Sequence, residues 1–223
     1  MSFFGTLIEI LFPSAFYIST LFTGGVISYA VCKLYNTPFF NPIQRKEDKM
    51  NEIVNSIPIS GGVYTFVYFI YSQHFLNFER KSSLKSTNDI FMYILCLEFL
   101  FYLYHRAAHT PTLYKKIHSQ HHLNVVVYPI HYIDTNLLET TIIILVKNIP
   151  LYLVHLHYYE YYFVYLLYGI GGFLTHSSRF TKFHSTHHKS FKTNFCNLFP
   201  IYDVVFGTCD VNTKVETIER KII

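Results

Sequence analysis

Long apolar runs separated by short polar stretches dominate the chain. Residues 11–35 and 57–78 each exceed the about 20 residues that an α-helix needs to cross a bilayer. Lys33 is the only lysine, arginine or carboxylate in either run. A third run, residues 90–104, leads directly into a histidine-rich segment. The pattern predicts membrane helices, the third of which leaves the bilayer and carries histidines at its polar end.

Residues 137–175 form a fourth apolar stretch, which polar residues interrupt. Pro150 should kink or end the first of two helices, because proline cannot donate a backbone hydrogen bond. These helices form either a tight hairpin or a partly re-entrant element. From residue 176 the chain is polar and returns to the histidine side. The predicted fold is an all-α integral membrane helical bundle of about four spans, with a cytosolic histidine-rich di-metal cap.

Composition supports a membrane protein and argues against a nucleic-acid-binding protein. Apolar residues make up 51% of the chain and charged residues only 14%, against about 25% in soluble domains. The net charge of +4 is spread along the chain and forms no basic stripe for nucleic acid. The four cysteines form no Cys-x-x-Cys pair, which is typical of free thiols in a reducing compartment.

Eight of the thirteen histidines fall into three short boxes. The boxes are His105-Arg-Ala-Ala-His109, His118-Ser-Gln-His121-His122 and His184-Ser-Thr-His187-His188. Residues three or four apart share a face of a helix, so each box is expected to aim its histidines toward one side. Three such faces together would hold more than one metal ion, and imidazole suits iron, zinc, copper and nickel.

Several functions are compatible with such a cluster. A structural or storage zinc site uses the same imidazoles, but it needs four ligands, and eight are too many for one ion. Ion transport places ionisable groups near the bilayer midplane, whereas these boxes lie in polar sequence beside the runs. A dinuclear iron site that activates oxygen fits best, with the apolar helices forming a dry channel for a lipid. We expect His74, His155 and His157 to be structural.

Glu98 lies inside the third apolar run, where a carboxylate is costly to bury. It precedes His105 by nearly two helical turns and therefore shares its face. Two interpretations stay open: a partner that orients a ligand histidine from outside the metal shell, or a carboxyl hydrogen-bonded between helices.

The basic residues around the boxes indicate which side of the membrane they occupy. Under the positive-inside rule they predict a cytosolic cap, although Arg80, Lys81 and Lys85 argue for the opposite side. The flanking basic residues are Arg106, Lys115, Lys116, Arg179, Lys182, Lys189 and Lys192.

The boxes, in this order and spacing, resemble the fatty acid hydroxylase and sterol desaturase superfamily of membrane di-iron enzymes. The match includes His105-Arg106-x-x-His109, the segment 113–118, Asn194-Phe195 and the ending Asp203-x-x-Phe206-Gly207-Thr208, over residues 90–210. Tyr202 stands where the family commonly has Trp. The resemblance implies that His176 is a further metal ligand beside the eight box histidines.

Two positions differ in ways that bear on the site and its substrate. Glu139 lies seventeen residues after His122, as in the sterol C-4 methyl oxidase and 25-hydroxylase branch. The His-Pro pair that usually precedes it is here Asn136-Leu137. The resemblance implies that Asn136, Glu139 and Asp203, together with Glu98, support the metal ligands from outside.

The resemblance implies a membrane-bound, non-haem di-iron oxidoreductase that uses O2 to hydroxylate or desaturate a lipid. A sterol is favoured, and a fatty acyl or sphingolipid substrate is the alternative. A catalytically inactive metal-binding membrane protein is the alternative of another class. Two iron ions would be the cofactors, with electrons from NAD(P)H through a separate reductase or cytochrome b5.

The expected organisation is N-terminal membrane spans over residues 1–89, a histidine-box catalytic domain over 90–210 and a C-terminal tail over 211–223. The expected location is the endoplasmic reticulum membrane, multi-pass, with the site facing the cytosol. No cleavable signal peptide is evident, and the ending Arg220-Lys221-Ile222-Ile223 loosely resembles a dibasic retrieval signal.

Overall fold

Every regular element that the computed structural model describes is helical, as the sequence predicts. The model describes residues 3–43, 46–76, 79 and 81–210, so the C-terminal tail and its retrieval-like ending lie outside the described residues. The helices are α1 (Phe3–Leu34), α2 (Lys46–Ile70), α3 (Ser83–Ala108), α4 (Pro111–Leu113), α5 (Leu137–Asn148), α6 (Tyr158–Thr175), α7 (Phe183–Ser190) and α8 (Ile201–Val205). The division at residue 89 stays a prediction.

Two of the described helices are long and apolar enough to cross a bilayer. They are Leu11–Leu34, within α1, and Ser83–Ala108, which is α3. The run predicted to span over residues 57–78 is helical as far as Ile70, where α2 ends and a short 3₁₀ turn follows. Its apolar segment, among the residues whose side chains the structure describes, is Ile59–Ile70. The described residues therefore show two candidate spans, and the prediction of four is not shown.

Helix α3 delivers the first histidine box to the end of the bundle, as the sequence predicts. Ser82 caps its start, where the side chain accepts a hydrogen bond from the Lys85 backbone N–H at 3.3 Å. His105 lies in the last turn, and His109 is the C-cap. Pro150 also acts as predicted, because α5 stops at Asn148 and a 3₁₀ turn over Ile149–Tyr152 replaces it.

Buried tyrosines join the long helices to each other. The rings of Tyr17 and Tyr64 stack with centroids 4.9 Å apart. Tyr64 donates its hydroxyl hydrogen to the hydroxyl of Tyr161 at 3.2 Å, and Asn148 donates to the hydroxyl of Tyr165 at 2.8 Å. Since buried hydroxyls are costly without partners, this network lets tyrosine serve as a core residue in place of aliphatic side chains.

Small residues allow two close approaches of α6. A Cβ at Gly24 of α1 would lie 3.2 Å from the backbone nitrogen of Ile170, so glycine lets the two helices pack closely. A Cβ at Gly172 would overlap the ring of Tyr132, which packs against this face of α6. The close packing expected for small residues in apolar helices is thus present.

We predict that Gly172→Ala lowers the free energy of unfolding by about 1–3 kcal/mol, because the added methyl group must displace an aromatic ring. Gly62→Ala is the matched control, since a Cβ there has no neighbour within 4 Å and alanine favours a helix by about 0.5–1 kcal/mol. Thermal unfolding of the purified chain in detergent, followed by circular dichroism, measures both. Equal stability of the two variants would contradict this packing.

Candidate metal centre

Nine buried or half-buried histidines converge where α3, α6 and α7 meet. They form two groups, in each of which one nitrogen per ring lies within 4.8 Å of the others. The first histidine group is His105, His109, His118, His122 and His187; the second histidine group is His121, His176, His184 and His188. The structure therefore brings together every residue that the sequence proposed as a metal ligand, His176 included.

The second and third boxes are each divided between the two groups. On α7, His184 and His188 join the second histidine group, whereas His187 joins the first. Successive residues of an α-helix are about 100° apart, so His187 projects away from His188. The second box divides in the same way: His118 and His122 join the first histidine group, and His121 joins the second. This corrects the expectation that each box presents a single face.

The two groups adjoin. The rings of His122 and His188, one from each group, have centroids 4.3 Å apart. Two ions held by the two groups would therefore be neighbours, because imidazole rings of the two groups contact each other.

Two long helices end at these groups. Helix α3 stops at Ala108 beside His109, and α6 stops at Thr175 beside His176. The C-terminal end of a helix carries about half a negative charge, because its last carbonyl groups have no partners within the helix. Two such ends favour a cation at the place where the histidines meet.

The segment after α7 turns back through two residues in the left-handed region. Phe191 has φ 60° and Asn194 has φ 62°. Asn194 tolerates this conformation well, and its side chain fixes the turn by donating to the carbonyl groups of Phe183 and Asp210 at 3.0 and 2.9 Å. The turn places the carbonyl groups of residues 193 and 195 against the histidines.

Six of the nine rings have their Nδ1 bonded to an acceptor outside the two groups, so Nδ1 carries the hydrogen. The acceptors are the carbonyl oxygens of Phe195 for His105 (2.7 Å), Asp134 for His121 (3.2 Å), Gly172 for His176 (2.7 Å), Thr193 for His187 (2.7 Å) and Asn124 for His188 (3.2 Å), and the Glu139 carboxylate for His118. In each of these rings Nε2 is left with a lone pair, which is the tautomer that metal ligands need.

Several of these lone pairs face each other. The Nε2 atoms of His105 and His118 are 3.0 Å apart, and those of His121 and His176 are 3.2 Å apart. Neither nitrogen of such a pair has a hydrogen to donate, so the contact is repulsive unless both nitrogens bind a cation. Both nitrogens of His184 are buried with no hydrogen-bond partner among the described residues. The donor set thus fits bound metal ions.

Burial keeps the rings neutral, which is the form that binds metals. It lowers the pKa of His109 and of His121 to about 4, and that of His122 to about 2. For His109 and His122, neighbouring histidines also contribute to the lowered pKa, because a second positive ring nearby would be repelled. At neutral pH the rings of both groups are therefore neutral imidazoles, which offer nitrogen lone pairs, rather than imidazolium ions. They suit iron, and they suit zinc as well.

Glu139 and Asn136, which the sequence proposed as supporting residues, contact the segment of the second box. The Oε1 atom of Glu139 accepts from His118 Nδ1 and from the Tyr104 hydroxyl, the latter at 2.9 Å. Burial raises the pKa of Glu139 to about 8, which a cation bound to His118 would oppose. Asn136 caps α5 by accepting from the Glu139 N–H at 2.8 Å, and it donates to the Ile117 carbonyl at 2.7 Å. It therefore links the helix of Glu139 to the segment of His118.

The contacts of Glu98 match the second of its two interpretations, a carboxyl that is hydrogen-bonded between helices. Its carboxylate accepts from the Tyr168 hydroxyl at 2.8 Å and from the backbone N–H groups of Asn197 and Leu198 at 3.1 and 3.0 Å. No hydrogen bond from a histidine reaches it within the described part of the chain. Glu98 thus acts on His105 only through the backbone beside Phe195.

Asp203 holds the same backbone from the other side. Its two carboxylate oxygens accept from the N–H groups of Phe195 and Cys196 at 2.8 and 2.7 Å. The Thr208 hydroxyl donates to it at 2.7 Å. Asp203 therefore fixes the carbonyl group of Phe195, to which His105 donates. The pattern Asp-x-x-Phe-Gly-Thr thus acts on the histidines indirectly, because it fixes the backbone that orients His105.

Sequence reasoning missed the carbonyl acceptors that orient the rings. Those of Thr193, Phe195 and Gly172 are backbone atoms, and no side-chain pattern marks them. Tyr104 was also missed, although it precedes His105 directly and lies within reach of Glu139. Among the histidines predicted to be structural, His157 caps α6 by accepting from the Tyr159 N–H at 3.2 Å.

Comparison with known proteins agrees with this site. A family model described as "Fatty acid hydroxylase" matches residues 90–208, more than half of the chain. The very-long-chain aldehyde decarbonylase GL1-6 of Oryza sativa subsp. indica is 29% identical over 149 residues, which cover 56% of this chain and 23% of that protein. The very-long-chain aldehyde decarbonylase CER1 of Arabidopsis thaliana is 29% identical over 150 residues, 56% of this chain and 24% of that protein.

A third relative, the very-long-chain aldehyde decarbonylase GL1-5 of Oryza sativa subsp. indica, is 33% identical over 137 residues, 51% of this chain and 22% of that protein. The chain thus matches less than a quarter of the length of these curated relatives. No solved structure matches the chain. None of these relatives has a name that refers to sterols.

We predict that Glu139→Gln lowers metal affinity about 10–100-fold, because the charge that supports His118 is lost while the shape is kept. Glu160→Gln is the control, since Glu160 lies at the start of α6, whereas the histidines lie at its end. Competition with a metal-sensitive chelator dye on the purified chain measures the affinity. Equal affinities of the two variants would show that Glu139 does not act on the site.

We predict that Glu98→Gln acts mainly on stability. The lost charge weakens at least one hydrogen bond to a charged group and lowers the free energy of unfolding by about 1.5–3 kcal/mol. Metal affinity should fall less than in Glu139→Gln, because Glu98 contacts the loop and not a ring. A variant with unchanged unfolding but a strongly reduced metal content would reverse this assignment.

Proposed function

Because the chain belongs to the fatty acid hydroxylase family, we propose that it is a membrane-bound, iron-dependent enzyme that uses O2 to modify a lipid. The observation that carries the proposal is the pair of adjoining histidine groups, with rings held in the metal-binding tautomer. Structural zinc needs four ligands, whereas nine neutral ligands in two groups fit a pair of ions with open positions.

The proposed roles follow the two groups. The first histidine group would hold one iron and the second histidine group the other, and the ligands are those nine residues. Bound there, the two iron ions would supply the O2 activation. The protein contributes neutral nitrogen donors, fixes their orientation through Nδ1 and excludes water by burying the rings. Exclusion of water protects a reactive oxidant from side reactions.

An apolar cavity beside the second histidine group is the proposed lipid site. It has a volume of about 320 Å³, and its walls come from α1, α5, α6 and the turn before α5. Tyr132 lines the cavity, and its ring lies against that of His176, with centroids 5.7 Å apart. A lipid chain in this cavity would end within one side chain of the proposed metal ligands. Such positioning decides which bond of the lipid reacts.

For the substrate we propose a long-chain acyl lipid or aldehyde in first place. The names of the matched relatives, very-long-chain aldehyde decarbonylases, support this choice. A sterol is the second candidate, because the spacing from His122 to Glu139 resembles the sterol-oxidising branch and Glu139 bonds to His118. Both substrates are apolar, and an apolar pocket discriminates between them by only about 1–3 kcal/mol per methylene group.

We also propose a location and an electron donor. The two candidate membrane helices support a membrane protein, and we expect it in the endoplasmic reticulum with the histidine cap facing the cytosol. Electrons would come from NAD(P)H through a separate reductase or cytochrome b5. The basic residues exposed around the cap, among them Lys115, Lys116 and Lys182, support the cytosolic side.

We predict about two iron ions per chain after expression with ample iron, one for each histidine group. His187→Ala and His188→Ala remove a ligand from the first and the second group, and each should lower the metal content and abolish turnover. His74→Ala is the control because His74 is exposed and outside both groups. Mass spectrometry of the metal and product analysis measure these effects.

Two outcomes of that experiment would reject parts of the proposal. One metal ion or fewer per chain, unaffected by either variant, would reject the dinuclear site. Two ions with full lipid oxidation in both variants would reject catalysis at these histidines and favour a metal-binding protein without activity.

For the substrate, membranes that contain the chain receive labelled long-chain aldehyde, labelled fatty acid and labelled sterol. We expect converted acyl or aldehyde label in the wild type and none in His187→Ala. Converted sterol with untouched acyl chains would select the second candidate and leave the iron chemistry unchanged.

A further inference from the structure

Lys147 on α5 is a buried cation without a carboxylate partner among the described residues. Only 5% of the residue is exposed. Its Nζ donates one hydrogen bond, to the Tyr132 hydroxyl at 3.2 Å. The ring faces of Tyr132 and Tyr165 lie 5.9 and 5.5 Å from Nζ, where they attract the cation but accept no strong hydrogen bond. An ammonium group has three hydrogens, so two of them find no acceptor in the described part of the chain.

Lys81 shows what a compensated buried lysine looks like in the same chain. Its side chain is 4% exposed, and its Nζ lies 2.7 Å from Asp89 and 3.0 Å from Glu160. The carbonyl oxygen of His155 accepts a third hydrogen bond at 2.5 Å. All three of its donors are thus satisfied, and two carboxylates balance its charge. Lys147, which is also buried, has no such arrangement among the described residues, and burial of an unpaired charge is costly.

The uncompensated ammonium group borders the apolar cavity. Lys147 and Tyr132 both line it, among walls that include Ile143 and Phe173. Tyr132 in turn lies against His176 of the second histidine group. The cavity therefore combines a long apolar surface with one positive charge close to the histidines. A ligand that matches both features has an apolar chain and a single anionic group.

We propose that Lys147 binds the carboxylate head group of a long-chain fatty acid whose chain fills this cavity. A carboxylate has two acceptor oxygens, which match the two free donors of the ammonium group, and its charge replaces the missing counter-ion. The inference rests on the proposed function in one respect, namely that this cavity holds the lipid. Lys147 then selects among lipids by their head group, a selection that apolar walls cannot make.

The test compares two ligands with the same chain, radiolabelled hexadecanoic acid and 1-hexadecanol, on the purified full chain in lipid nanodiscs. We expect the wild type to bind the acid at least about tenfold more tightly than the alcohol, the range of a hydrogen bond to a charged group. Lys147→Met should lose this preference and keep its affinity for the alcohol, and Lys147→Arg should keep much of the preference. Lys85→Met is the control, since the Lys85 side chain is 63% exposed.

Equal binding of acid and alcohol by the wild type would overturn the inference, and this comparison needs no variant that folds. An undiminished preference for the acid in Lys147→Met would overturn it as well. Excess sodium acetate should not displace the acid; displacement would indicate a simple anion site and not a lipid site. The binding measurement is separate from turnover, so a failure of the enzyme proposal with intact selection for the acid is recognisable.

Discussion

The structure depends on one electrostatic constraint: nine imidazoles share a small volume, and this is possible only if all of them are neutral. A charged ring in this volume would be poorly solvated, and a second charged ring beside it would be repelled, so burial and the neighbouring rings together favour the neutral form. The price of that neutrality is a set of nitrogen lone pairs that point at each other. Bound cations would resolve this conflict, and in six of the rings a backbone carbonyl or the Glu139 carboxylate decides which nitrogen is available. The packing that buries the rings therefore also sets their charge and the nitrogens that are free to bind a metal.

The sequence was sufficient for the residues of the site but not for their assignment to two groups. The three boxes identified eight of the nine candidate ligands, and the resemblance to a known family supplied the ninth, His176. Which ring joins which group depends on helical phase and on how α7 packs against α3 and α6, and these are tertiary facts. Glu98 shows the same limit. Its spacing to His105 was correct for a shared face, yet the nearest donors come from residues about a hundred positions later in the chain.

For the membrane part, the sequence predicted the type of element, apolar helices, better than the number of membrane spans. Apolar runs gave helices, and Pro150 ended one of them as expected. The run over residues 57–78 gave a helix that stops at Ile70. Hydropathy also gave no hint of the tyrosine hydroxyl network or of the close fit of Tyr132 on Gly172. These contacts join distant segments, so only the packing shows that the ring of Tyr132 lies between an apolar cavity and His176.

The loop over residues 193–199 has a consequence for how the protein matures. His105 emerges from the ribosome long before Phe195, whose carbonyl orients it, and Phe195 is itself held by Asp203. Asn194 closes the turn only when Asp210 has been made. Until then the first box has no fixed tautomer and no completed set of neighbours. The complete arrangement of imidazoles around a metal ion would therefore form only after the chain has been synthesised through residue 210.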